Sequence, residues 1–159
     1  MKGRNEESVY GKLGKIVTRQ LPENSDLIQG IKRVCTDSGI RSGVILSAVG
    51  SVHQLSVMIP GPYQEAIHEA PGEYKILPGP MQVLSLIGFI FETEKGEMTV
   101  HIHGSFIDTQ GKVHGGHVIE GENPVLARLV VVIGEVAGVS YTERFDEESN
   151  QRQFYVERI

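Results

Sequence analysis

Four of the chain's six histidines fall between residues 98 and 120, in MTVHIHGSFIDTQGKVHGGHVIE. Imidazole is the side chain best suited to hold a divalent metal or to carry a proton near neutral pH. The alternation Met98, Thr99, Val100, His101, Ile102, His103 puts Met98, Val100 and Ile102 on one face of a strand and His101 and His103 on the other. The segment Asp108-Thr109-Gln110-Gly111 has the residues of a type I turn followed by a glycine bulge, which makes a hairpin with a three-residue loop. With Asp108 opposite Lys112, His103 faces His117 and Phe106 faces His114. Directly opposed residues share a face, so His101, His103 and His117 converge while His114 points away. A slip of one residue would exchange His114 and His117. Gly115 and Gly116 bear on that register, because paired glycines in a strand mark a bulge or a close backbone approach.

Three neutral imidazoles on one sheet face can meet one ion, zinc or another divalent transition metal. Three protein ligands leave a fourth position for water or a small anionic ligand, the open arrangement of catalytic rather than structural zinc sites. A metal-lowered water pKa would then serve hydrolysis or hydration. Such chemistry needs a nearby base, and the sequence offers His68, between Glu65 and Glu69, with His114 and Glu120. The last two face away in the register above. Solvated histidines on a polar face, in a plain oligomeric scaffold, are the alternative reading.

The elements that must position these residues are ordinary ones. At 159 residues, 40% hydrophobic and 22% charged, the chain fits one domain that folds without a structural metal. Residues 1–9 are polar and expected to fray, leaving 10–159 as the domain. A net charge of −5 with scattered Lys and Arg argues against a protein that grips phosphate backbones, so DNA is a disfavoured partner. Cys35 is the only cysteine, which excludes an intramolecular disulfide and a thiolate zinc site. No stretch has signal-peptide or membrane-span character, so a cytoplasmic location is expected and no membrane partner.

Residues 13–21 read as a first strand ended by Pro22. Leu27, Ile31, Val34 and Cys35 follow at helical spacing, after an N-cap signal at Asn24 or Ser25 and before a stop at Gly39. Residues 42–60 form two strands or one sharply bent at Gly50-Ser51, with His53 at the surface. The Pro- and Gly-rich residues 61–80 read as a lid or irregular excursion. Residues 81–93 are a long strand with a bend at Gly88. Residues 127–136 form a strand buried on both faces, and a last hairpin turns around 148–150. This predicts an α+β fold: a mainly antiparallel sheet of about seven or more strands with one main helix. One helix cannot cover both faces of such a sheet, so a homo-oligomer is expected to hide the remainder.

The helix with its exit, SDLIQGIKRVCTDSGIRSGVILSAVGSV, the stretch VLSLIGF and above all HIHGSFIDTQGKVHGGHVIEG together resemble the plants-and-prokaryotes-conserved (PPC) domain, over about residues 10–139. The family is found alone in bacteria and archaea and joined to AT-hooks in plant nuclear proteins. The resemblance implies an antiparallel sheet with few helices, a homotrimer, and metal ligands at His101, His103 and His117 near a subunit boundary. Where the family usually has Glu before LSL, this chain has Gln82. The plant relatives suggest a DNA-binding or regulatory module as the alternative function, but no Arg-Gly-Arg-Pro core is present, and Lys2-Gly3-Arg4 is too short to stand for one.

Overall fold

Asp26 starts the one helix, α1 (Leu27–Ser38), by accepting a hydrogen bond from the Gln29 backbone N–H at 3.0 Å, and Gly39 ends it in the left-handed conformation at φ 66°. The cap therefore lies one or two residues beyond the expected Asn24 or Ser25. Those two residues are used in a turn from Pro22, whose carbonyl accepts from the Ser25 N–H at 3.2 Å, with Asn24 itself at φ 62°. Leu27, Ile28, Ile31, Val34 and Cys35 are buried against the sheet. Burial pushes the Cys35 thiol up to about 12, so it behaves as a small apolar core residue.

The computed structural model describes residues 8–61, 72–93, 95–146 and 151–159; residues 1–7 of the polar N-terminus and His68 lie outside them. The main sheet contains β1 (Lys12–Leu21), β2 (Gly43–Ile59), β3 (Glu73–Glu92), β4 (Met98–Ile107), β5 (Val113–Val118) and β6 (Val125–Ala137), in the order β1-β6-β2-β3-β4-β5. Every pairing is antiparallel. The far end of β2 also pairs with β5, through Val57–Val118 and Met58–His117, so β2, β3, β4 and β5 close into a ring. A separate two-stranded sheet, β7 (Val139–Asp146) and β8 (Gln151–Arg158), follows β6 through Gly138 at φ 82°.

Of the two readings of residues 42–60, the single strand is the one found, irregular around Gly50–Val52 where it pairs with β6. Two expectations are corrected. The excursion at 61–80 is shorter than read, because β3 begins at Glu73, eight residues before the expected strand start. Its prolines are accommodated by a register shift opposite His53, between the pairs Val52–Met81 and Gln54–Pro78. In β6, Val125, Leu129, Val131 and Ile133 are buried on the helix side, whereas Val130 and Val132 on the outer face are only partly buried.

Buried Asn123 ties the site strands to the helix start. Its side-chain oxygen accepts from the Ser56 N–H at 2.8 Å, its amide nitrogen donates to the carbonyls of Ser56 (3.1 Å) and Ile119 (2.6 Å), and its own N–H donates to Asp26 Oδ2 at 3.0 Å. One side chain thus fixes β2, the exit of β5 and the helix cap together. Among the described residues no helix is long and apolar enough to cross a membrane.

Candidate metal centre

The turn after β4 forms as its residues require: the Asp108 N–H donates to the Lys112 carbonyl at 3.0 Å and the Gly111 N–H to the Asp108 carbonyl at 3.1 Å, with Gly111 at φ 80°. Asp108 Oδ1 further accepts from the Gln110 and Lys112 N–H groups, both at 2.9 Å. This locks the register, in which His103 lies opposite His117 and Phe106 opposite His114. His101, His103 and His117 consequently stand on the face away from the helix, with ring centroids 5.1, 4.5 and 5.5 Å apart for the pairs 101–103, 101–117 and 103–117.

Glycines bring the backbones together here. A Cβ at Gly88 would lie 2.0 Å from the His101 carbonyl oxygen, and one at Gly116 2.6 Å from that of Met58, so neither position admits a side chain without moving the strands that carry the histidines.

One nitrogen from each of the three rings lies within 4.8 Å of the others. Around a tetrahedral ion at 2.0–2.1 Å the nitrogens would be about 3.4 Å apart, a spacing reached by small turns of the rings about their soft terminal torsions. Burial, then the neighbouring His117 and His103, lowers the His101 pKa to about 4, and burial also lowers that of His117. Both rings are therefore neutral at pH 7, the form that binds metals. The donor set fits a divalent transition ion.

The acid or base candidates lie elsewhere. His114 bonds through Nε2 to Asp108 Oδ2 at 2.8 Å, an interaction that holds the Asp108 carboxyl below its usual range. Glu120 pairs with Lys32 of the helix at 2.7 Å. The carboxylate near the cluster is one that sequence reasoning missed, Glu143, whose charge works against burial to raise the His117 pKa. It arrives on the β7–β8 hairpin, where it lies directly opposite Phe154. The Phe154 ring sits 4.7 Å from that of His101 at 79° and also packs on Phe91, while Tyr141 packs on Phe89. The pairing of its two strands was legible from their alternation, while the turn expected at 148–150 lies outside the described residues; nothing local to its sequence says where it docks.

Beside His101 and His103 a cleft of about 530 Å³ opens between Val44, Ile87 and Phe89 of the sheet and Phe154 of the hairpin, with Gly88 and Ile45 also on its wall. Its size is that of a small-molecule site.

Fold and site together define a class: a small, mainly antiparallel α+β domain whose outer sheet face carries a three-imidazole cluster beside an apolar cleft. The chain belongs to the Plants and Prokaryotes Conserved domain family, whose model matches residues 8–137. Among solved structures it is similar to a metal-containing protein of Archaeoglobus fulgidus (24% identity, 94% of this chain and 99% of that one, TM-score 0.76). It is also similar to a PPC protein of Pyrococcus horikoshii (24%, 92% and 95%, TM-score 0.75). A third, described as a candidate DNA-binding protein of Bacteroides thetaiotaomicron, shares 14% identity over 91% of this chain and 96% of that one, with a TM-score of 0.71. At these identities the likeness is one of fold. A curated relative, the bifunctional protein GlmU of Synechococcus sp. (strain JA-3-3Ab), is 23% identical over 157 residues, and the chain spans only 23% of that protein's length.

Proposed function

We propose that this protein is a cytoplasmic, homotrimeric metal-binding domain that holds zinc or a similar divalent ion on His101, His103 and His117 and leaves a coordination position for water or a small anionic ligand. The observation that carries this reading is the approach of one nitrogen from each of three neutral or exposed rings to within 4.8 Å on the open face of the sheet. When bound, the ion supplies Lewis acidity suited to hydrolysis or hydration. Glu143 is the carboxylate available to accept a proton beside it, and Phe154 keeps water from one side of His101. The metal-containing description of the Archaeoglobus neighbour lends support.

The trimer reading is supported by apolar side chains on the same outer face that lack cover among the described residues: Leu13, Ile16, Val49 and Leu84 are each more than half exposed. DNA binding, suggested by the Bacteroides neighbour, is disfavoured by the net charge of −5. A fluorescence titration against duplex DNA at low ionic strength is expected to show no salt-dependent affinity; a steep salt dependence would favour that second reading.

The test is elemental analysis of protein purified without a histidine tag. His101→Ala and His117→Ala are each expected to lose the stoichiometric metal that the wild type holds, and His114→Ala to keep it. Metal retained by the His117→Ala protein would refute the ligand set.

A further inference from the structure

The cleft beside the cluster has a composition that a bare metal site does not need. One end is the imidazole pair His101 and His103, and the remaining walls are Val44, Ile87, Phe89 and Phe154. The Phe89 and Phe154 rings are 6.5 Å apart and inclined at 45°, forming an aromatic corner. Gly88 contributes a stretch of wall with no side chain, and its backbone runs against that of His101. A flat group can lie along such a wall and meet ring faces at the corner. Water or a simple inorganic anion would leave these apolar surfaces wetted. A ligand with a coordinating head and an apolar tail covers both halves of the site.

Resting on the three-histidine reading above, we propose that the cleft takes a small organic anion carrying an aromatic ring, an aryl carboxylate or its hydroxamate analogue, with the anionic head at the histidines and the ring between Ile87, Phe89 and Phe154. The hairpin is then part of the binding site, since Phe154 is the wall it contributes. Specificity between ligands with the same head is set by the cleft, and the head alone sets retention at the metal.

The experiment uses full-length protein loaded with cobalt(II), whose visible spectrum reports ligands entering its coordination sphere. Benzohydroxamate and acetohydroxamate share a head and differ in phenyl against methyl. The wild type is expected to bind the phenyl compound at least tenfold more tightly. Ile87→Trp, made at a side chain that is 64% exposed and so free to be enlarged, fills the cleft. It should bring the two affinities within about threefold by weakening the phenyl compound more than the methyl one; Phe154→Ala should narrow the ratio likewise by opening the wall. A wild-type ratio near one, as when a second copy of the chain fills the cleft, overturns the proposal, as does a ratio that survives both substitutions. Failure to take up cobalt would count against the histidine reading instead. The cleft is then tested on metal-free protein by saturation-transfer NMR, where benzoate but not acetate should bind and Ile87→Trp should abolish the signal. Absence of benzoate binding there would equally overturn the proposal.

Discussion

His101 is neutral because it is half-buried beside two other rings, and that has a consequence for the metal-free protein. Its pKa falls from 6.5 to about 4 in the fold, so between those values the unfolded chain binds more protons than the folded one. The stability tied to this ring is complete above pH 6.5 and is lost as pH falls through the window towards 4. In urea denaturation of chelator-treated protein, the midpoint should drop between pH 7 and 4.5, and His101→Phe should flatten the drop. A variant with the same pH slope as the wild type would show that the ring does not carry the effect. Asp108, held low chiefly by its bond to His114, gives way only below the ordinary carboxylate range and so does not confuse the comparison.

At the scale of the elements, the site depends on two strand pairs, β3 with β4 and β5 with β2, held closer than side chains allow. Gly88→Ala would drive a methyl to 2.0 Å from the His101 carbonyl, and the expected cost is about 1–3 kcal/mol of stability, read by urea denaturation. Because β4 must shift to relieve it, metal affinity in a chelator competition should fall as well; unchanged affinity would mean that the strand holds its place. Asn123→Ala leaves the buried Ser56 N–H without its partner and takes one of two donors from the Ser56 carbonyl, and should cost roughly 1–3 kcal/mol, by the same measurement. The histidine register was readable because it is set within a few residues, by Asp108 and Gly111 at a tight turn. The helix was equally readable, from apolar spacing and Gly39. By contrast, the start of β3 was hidden by Pro78 and Pro80, which are tolerated at a bulge that β3 forms opposite His53 of β2, a partner far away in sequence. The pairing of β5 with β2 and the docking of Phe154 on His101 are likewise contacts between distant segments, and no local pattern encodes them. That is also why Glu143 escaped notice while His114 and Glu120, closer in sequence to the cluster, were considered.

Across the whole molecule, the two faces of the main sheet differ sharply. The inner face packs on α1 in a continuous core, while the outer face carries the histidines, the β7–β8 hairpin and a field of exposed aliphatic side chains. Val49 is 67% exposed and pairs across the strands with Val130, so a charge there is tolerated by the single chain and is unfavourable only against an apolar neighbour. If this face carries the subunit contact of the proposed trimer, Val49→Lys is expected to yield monomers by light scattering where the wild type gives a trimer, without lowering the helix signal in circular dichroism. A variant that remains trimeric would place the subunit contact elsewhere.

The ring formed when β5 returns to β2 has one more effect. It leaves β1 as the outermost strand of the main sheet with an unpaired flank, and β1 carries Lys12, Lys15 and Arg19. An extended peptide adding to the sheet at β1 meets positive charge, the device by which soluble proteins discourage fibril-like stacking. Beside the histidines Met58 and His117 are already paired with each other, so a ligand must reach the imidazole cluster broadside, through side-chain chemistry.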